Sequence, residues 1–303
     1  MPHASDPPTY LGTTDVRIGA TRIALLGDTQ RTSRFEFWRP TYDQAQAVLF
    51  EALADADIDA VLHLGDFVTW GGSARSWARF DTLYAGLHKR GVPVLPIVGN
   101  HDYMPRRTTA LRQLHARFPD LASAHTWVLT AGSTAIVAVD SNTGKLTRAA
   151  VEAQTLWFAE TVAAMDEDPA IDLIVGAFHH PAYTNSKTVR PSRYAQRGLM
   201  PALHHYSTHA LAVAGHCHAY EHFVVDGVRQ LVLGGGGGPL QRVTAGRFPD
   251  RFEWPGPRRF LHYGILDTET STITVVAVIG DDTCVIDTID CRHTAPDSDM
   301  QQP

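Results

Sequence analysis

The sequence predicts an α/β fold that opens with parallel βαβ units and closes with antiparallel strands. Three observations predict it. Short apolar runs rich in Val, Ile, Leu and Ala recur through the first two thirds of the 303 residues, as suits strands covered on both faces. Stretches of helical periodicity lie between those runs. After Ala219 the texture changes to strands that follow one another directly, separated by turn residues.

The elements follow in order. The strand-like runs are "TRIALLGD" (Thr21 to Asp28), "AVLHLGD" (Ala60 to Asp66), "VPVLPIVGNHD" (Val92 to Asp102), "IDLIVGAFHHP" (Ile171 to Pro181) and "HALAVAGHCH" (His209 to His218). Helical spacing predicts helices over Tyr42–Ala56, with Ala45, Val48, Leu49 and Leu53 on one face, and over Ser73–Lys89, with Trp77, Phe80, Leu83, Tyr84 and Leu87. Leu156–Met165 and Leu199–His205 read the same way. "EHFVVDGVRQLVLGG" predicts a hairpin about Asp226-Gly227, because Asp-Gly suits the two positive φ angles of a tight hairpin turn. Three more strands follow, with turns at Asp267–Ser271 and Gly280–Asp282. A single domain is expected over residues 15–292, with loose Pro-, Asp- and Gln-rich termini at 1–14 and 293–303.

Composition excludes several classes of function. Hydrophobic residues make up 44% and charged residues 19%, as in an ordinary globular protein. A net charge of −6 is not the basic footprint of a nucleic-acid binder. No apolar run is long enough to span a membrane, and the N-terminus lacks the basic and apolar regions of a signal peptide. Three irregularly spaced cysteines, Cys217, Cys284 and Cys291, suit neither a disulfide framework nor a thiolate zinc site. A cytoplasmic location is the simplest expectation. Histidine is the unusual residue, with 16 copies gathered in a few segments.

Each of the five apolar runs stops at Asp, Asn or His. In open α/β sheets, ligands sit beyond the carboxyl ends of strands, so these ends can meet. They offer Asp28, Gln30, Asp66, Asn100, His101, His179, His216 and His218. A mixed set of carboxylates, amides and imidazoles suits Mn²⁺, Fe, Zn²⁺ or Mg²⁺ better than thiolate-loving metals. One tetrahedral zinc takes about four ligands. The larger set fits two metals that share a ligand, a known device for displacement at phosphorus.

The series Gly27-Asp28-x-Gln30, Gly65-Asp66, Gly99-Asn100-His101-Asp102, His179-His180-Pro181 and Gly215-His216-Cys217-His218 resembles the calcineurin-like metallophosphoesterase superfamily. "FHHPAYTNS", "GHCHAYEH" and "LVLGGGGGP" are similar to its purple-acid-phosphatase-like branch. The resemblance runs from Val16 to Asp290 and implies a four-layer α/β/β/α sandwich of two mixed sheets flanked by helices. It implies a dinuclear, metal-dependent phosphoesterase acting by attack of a metal-bound hydroxide, with Mn²⁺ or Fe favoured and Zn²⁺ or Mg²⁺ possible. By the same resemblance Asp66 bridges the metals; Asp28, Gln30 and His218 complete one site; Asn100, His179 and His216 complete the other. His101 becomes the acid for the leaving group, oriented by Asp102.

Gln30 departs from the family pattern, where histidine is frequent and purple acid phosphatases use a tyrosine. A glutamine either lends its amide oxygen, tilting the site toward Mn²⁺, Mg²⁺ or Fe, or hydrogen-bonds behind the ligands. The expected substrate is a small phosphate ester, a phosphomonoester first. A phosphodiester such as a cyclic nucleotide or lipid headgroup, and a non-catalytic binding role for the fold, are the alternatives. His63 reads as a core histidine, His180 as a histidine behind the ligands or in the core, and Glu221 and His222 as rim or solvated residues. Gly234–Gly238 reads as bare backbone passing close to the metals. The arginine- and aromatic-rich Arg31–Pro40, Tyr103–Arg107, Trp70, Tyr183 and Lys187 are candidates for a phosphate or leaving-group clamp.

Overall fold

The computed structural model of the chain describes residues 7–13, 21–33, 40–207, 209–244, 246–254 and 260–292. Its strands are β1 (Arg22–Leu26), β2 (Ala60–His63), β3 (Val94–Pro96), β4 (Trp127–Ala131), β5 (Thr134–Ala138), β6 (Leu173–Phe178), β7 (Ala210–Ala214), β8 (Tyr220–Val225), β9 (Val228–Leu233), β10 (Leu261–Asp267), β11 (Thr272–Ile279) and β12 (Asp282–Asp290). The helices are α1 (Asp43–Asp55), α2 (Ala74–Leu83), α3 (Ala85–Lys89), α4 (Arg107–Arg117), α5 (Arg148–Asp166) and α6 (Met200–Tyr206).

The strands form two six-stranded mixed sheets, ordered β12-β11-β10-β1-β2-β3 and β4-β5-β6-β7-β9-β8. β1, β2 and β3 run parallel, as do β5, β6, β7 and β9. The period of two along each strand assigns alternate side chains to different layers. In β1, Ile23 and Leu25 pack between the sheets against residues such as Val175 and Val213. Ala24 and Leu26 face the other way, against Leu49, Phe50 and Leu53 of α1. On the second sheet, Ile174, Ala210 and Ala212 lie under Phe158 and Val162 of α5 and Leu203 of α6. The expected four-layer α/β/β/α sandwich is therefore the observed architecture.

The expected helices are present with shifted limits. The Ser73–Lys89 stretch is two helices, broken where Tyr84 takes ψ 0°. The Leu156–Met165 helix begins earlier, at Arg148, because the Thr147 hydroxyl caps it by accepting from Ala150 N at 3.2 Å. The Asp226-Gly227 hairpin is as expected, with φ of 50° and 78° at its two turn residues. Helix α4 and the β4–β5 hairpin were not anticipated. The first has sparse apolar spacing and buries only Ala110, Leu114 and Arg117. The second turns on Gly132, at φ +55°, with no run of turn residues to mark it.

One terminal expectation is corrected. Within 1–14, expected to be loose, Tyr10 is only 3% exposed. Its ring stacks on Phe118 at 5.4 Å and its N–H donates to Arg117 O, since a large aromatic ring gains more from burial than a short segment loses in entropy. Residues 1–6, 14 and 293–303 lie outside the described residues. No helix among the described residues is long and apolar enough to cross a membrane.

Phe158 is fully buried between α5 and the second sheet. Phe158→Ala is expected to cost about 3–5 kcal/mol, read as a lower urea midpoint at unchanged slope. An unchanged midpoint would contradict the packing.

Candidate metal centre

The five strand ends meet at the seam between the sheets. β1 leads into Asp28, β2 into Asp66 and β3 into Asn100 from the first sheet; β6 leads into His179 and β7 into His216 from the second. Two hydrogen bonds tie the halves together at this point. His216 N donates to Asp28 Oδ2 at 2.8 Å, and the His179 ring donates through Nδ1 to Leu64 O at 2.7 Å.

Asp28, Asp66 and His216 each follow a glycine and each take a left-handed backbone, with φ of 62°, 56° and 65°. Non-glycine residues adopt this region at a cost of order 1–3 kcal/mol, and such strain gathers at functional sites. The turns throw three side chains toward one another that regular strands would have spread apart. His216 and His218 are placed by the same means. β7 has already ended, and tight turns run from Cys217 N to Gly215 O and from Ala219 N to Cys217 O. The two rings consequently reach different groups rather than sharing one face of a strand.

Two clusters result, each with its ligand-type atoms within 4.8 Å of one another: Asp28, Asp66 and His218, and His179, His180 and His216. Asp66 lies where the clusters meet. Its Oδ2 accepts from Gln30 Nε2 at 3.1 Å on one side and is 3.5 Å from His179 Nε2 on the other, while Oδ1 accepts from His101 N at 2.8 Å. Asn100 Oδ1 lies 3.2 Å from His179 Nε2. His218 Nε2 faces Asp28 Oδ1 at 3.3 Å and Gln30 Nε2 at 3.2 Å. All seven residues expected as ligands are thus brought together.

The imidazoles are oriented alike. His218 uses Nδ1–H on Pro239 O at 3.0 Å, His179 uses it on Leu64 O, and His101 uses it on Thr69 O at 2.9 Å. Each leaves Nε2 directed into the site, the arrangement of metal-bound histidines whose other nitrogen is held by an oxygen. Asp28 and Asp66 are 0% and 1% exposed, and no Arg or Lys among the described residues pairs with either. Burial alone would raise the Asp66 carboxyl, but His179 and His101 overturn it and hold the group well below the usual carboxylate range. Burial opposes charge on His179 too, yet Asp66 and Asp28 lift it to about 9. His216 goes the other way, held neutral by burial and by His180 and His179.

Buried atoms without partners show what is missing. Among the described residues, Asp28 Oδ1 and Gln30 Oε1 have no hydrogen-bond donor. An orphaned carboxylate oxygen, an orphaned amide oxygen and Nε2 lone pairs aimed inward fit divalent cations of the O- and N-loving kind. Cys217 offers no thiolate, since its thiol is buried and pushed up by burial and by Glu221.

Asp102 corrects an expectation. It does not orient the His101 ring, which Thr69 O holds. Its carboxylate instead accepts from Asp66 N at 2.9 Å, Gly99 N at 2.9 Å and Phe67 N at 3.0 Å, fixing the loops that carry Asp66 and Asn100. Glu221 and His222 are likewise not rim residues. Glu221 is fully buried and accepts from Thr184 Oγ1 at 2.5 Å and Asn185 N at 2.7 Å. His222 lies beside Asp250 and Asp287.

His63 is the neutral core histidine expected, stacked on Phe67 at 3.8 Å. Its Nδ1 accepts from Gly65 N, so Nε2–H faces Thr29 Oγ1. Gly234 and Gly238 pass against the cluster as expected: a Cβ at Gly234 would lie 2.2 Å from Cys217 O, and one at Gly238 2.6 Å from His218 Cε1. His180 belongs to the second cluster, its Nδ1 on Ser141 Oγ at 2.8 Å.

The open face of the centre is a cavity of about 160 Å³ lined by Arg31, His101, Thr188 and Val189 as well as the cluster. Arg31 is bound to Asp43 at 2.6 Å. Trp70 lines a neighbouring cavity that shares Gln30, Arg31 and Thr69 with this one. Tyr183 packs on Phe248 instead, and Arg107 lines a separate cavity. Residues 34–39 of the arginine-rich stretch lie outside the described residues. Sequence reasoning missed Gln46, whose Nε2 holds the carbonyls of Thr29 and Gly236 at 2.9 and 2.7 Å. Only its place on the buried face of α1 could have pointed to it.

Two six-stranded sheets flanked by helices, with a carboxylate–imidazole–amide cluster at their seam, define the class. The chain belongs to the calcineurin-like phosphoesterase family, whose model matches residues 21–220. Among solved structures, it resembles a purple acid phosphatase from yellow lupin (Lupinus luteus), with TM-score 0.69 and 16% identity over 90% of this chain. It spans about half of that protein, 54%. GAP50, the anchor in the inner membrane complex of Plasmodium, gives TM-score 0.63 and 14% identity over 89% of this chain and 87% of that one. A dimetal phosphatase from Danio rerio gives 0.56 and 13% over 88% and 99%. Among curated proteins none matches the chain.

Asp102→Asn places an NH₂ group against a backbone N–H whichever way the amide is turned. It is expected to weaken metal affinity by about 10- to 100-fold, measured by chelator competition; unchanged affinity would contradict the positioning role. A second expectation concerns Glu221, which burial lifts from 4.5 to about 7 despite its two donors. The folded state therefore binds this proton more tightly. That stabilisation is complete below about pH 4.5 and is lost as pH rises through about 7. Urea midpoints should fall over this range relative to Glu221→Gln, and parallel pH profiles would contradict it.

Proposed function

We propose that this protein hydrolyses phosphate esters, phosphomonoesters foremost, with two divalent cations held about Asp66. One observation carries the reading: two carboxylates are buried with no lysine or arginine among the described residues paired to them, in a ring of imidazoles and amides whose ligand-type atoms point inward. Asp28, Gln30 and His218 would hold one cation and Asn100, His179 and His216 the other, with Asp66 between them. The donor set favours manganese or iron, and also accommodates zinc or magnesium. When bound, such a pair neutralises phosphoryl oxygens and supplies a nucleophilic oxygen at neutral pH.

The chain's own residues then have distinct tasks. Thr69 O fixes the His101 ring through Nδ1, which directs Nε2 into the cavity. From there a protonated His101 delivers a proton to the departing ester oxygen, so that an alcohol and phosphate leave. Arg31, at the cavity wall and half engaged by Asp43, is placed to meet a phosphoryl oxygen or an anionic leaving group. Asp102 and Gln46 hold the loops so that these groups are in position before the substrate arrives.

The direct test is hydrolysis of p-nitrophenyl phosphate against bis-(p-nitrophenyl) phosphate, before and after EDTA and on return of Mn²⁺. Loss and recovery with the monoester leading supports the proposal. Metal-independent activity, or none with any of Mn²⁺, Fe²⁺, Zn²⁺ or Mg²⁺, contradicts it. His101→Gln is expected to slow alkyl phosphates by about 10²–10⁴-fold and p-nitrophenyl phosphate far less, since the latter leaves without protonation. Equal losses on both would remove His101 as the acid.

A further inference from the structure

We propose that a second cavity, which shares no lining residue with the metal centre, binds a small organic anion with an apolar body. It measures about 540 Å³ and is formed by α4, the loop after it, the end of β5 and the first turns of α5. Most of its wall is apolar, including Leu111, Leu121 and Trp157. Its polar groups include Arg107 and the hydrogen-bonded chain His115, His125 and Asp140, with Ser123, Thr126 and Gln154 beside them.

The state of these groups selects the ligand. Asp140 is 1% exposed and its acceptor capacity is used. Oδ1 receives Asn142 N at 2.8 Å and Asn142 Nδ2 at 2.7 Å. Oδ2 receives the Tyr103 hydroxyl and, at 3.1 Å, His125 Nδ1–H. The His125 ring is thereby fixed with Nε2 turned outward, 3.2 Å from His115 Nε2. Arg107 lies over the Tyr103 ring at 5.7 Å, and no carboxylate among the described residues pairs with it.

What remains unspent is the Arg107 guanidinium, since the two imidazoles meet each other through Nε2. A cation would meet Arg107 and find no free carboxylate. A neutral apolar molecule would leave the guanidinium unused. A carboxylate, sulfonate or phosphate group on an aromatic or short aliphatic body satisfies both parts of the wall. The same strand end serves the metal centre on its other side, where Ser141 holds His180 and Asn142 Nδ2 holds Val98 O at 2.8 Å.

The test is calorimetric titration of the metal-loaded protein with 1-naphthoate, with 1-naphthalenemethanol as the uncharged control. Naphthoate is expected to bind at one site, the alcohol much more weakly, and inorganic phosphate not to displace it. Arg107→Gln changes an exposed residue and should weaken binding by about tenfold or more. Ala153→Trp, on the exposed side of α5 and at the cavity wall, should abolish it. Both variants should hydrolyse p-nitrophenyl phosphate as the parent does. Absence of binding at millimolar naphthoate, displacement by phosphate, or indifference to both substitutions would overturn the proposal.

Discussion

Two carboxylates taken out of water, with no lysine or arginine among the described residues paired to them, set the terms for this molecule. Asp28 and Asp66 sit at the seam of two sheets, where an isolated ionised carboxylate costs far more than any single packing contact returns. Hydrogen bonds from His216 N, His101 N and Gln30 Nε2 meet part of that cost. One oxygen of Asp28 has no hydrogen-bond donor among the described residues, with His218 Nε2 3.3 Å away. Imidazoles overturn the effect of burial on Asp66, and Asp66 in turn lifts His179. Charge of this kind, balanced among the described residues by protonated histidine alone, has one other natural partner, a bound cation.

The rest of the fold follows from delivering side chains to that place. Parallel strands from both sheets end at the same level, so each sheet contributes candidate ligands without long loops. Three candidate ligand residues take positive φ, and bare glycine backbone closes in where any Cβ would collide with Cys217 O or His218. These are destabilising choices, and the layers around them are correspondingly well filled. The inter-sheet core and the two helix-covered faces bury large side chains such as Trp77, Tyr84 and Phe158. Asp102 shows how position is kept: one buried carboxylate gathers three backbone N–H groups from the two loops that supply Asp66 and Asn100.

Much of this was legible in the sequence because it is local. Apolar runs that end in Gly-Asp, Gly-Asn-His or Gly-His-Cys-His mark both the strands and the residues that gather beyond them. The Asp226-Gly227 hairpin is equally local, since its turn chemistry is carried by two adjacent residues. What escaped notice depends on tertiary contact. Helix α4 has little periodicity of its own, and the β4–β5 hairpin turns on a single glycine. Tyr10 looked like part of a loose end because its partners, Phe118 and Tyr84, are far away in sequence. Asp102 was expected to serve the neighbouring His101, whereas its hydrogen bonds run to Asp66 and Phe67, some 35 residues earlier. Glu221 looked like a surface acid and is buried under the turn that holds His216 and His218.

The most direct measurement is anomalous X-ray diffraction from crystals loaded with Mn²⁺. The account predicts two peaks about 3.5–4 Å apart, with the Asp66 carboxylate touching both and Asp28 and His179 on opposite sides. A single peak, or two peaks of which only one contacts Asp66, would contradict it.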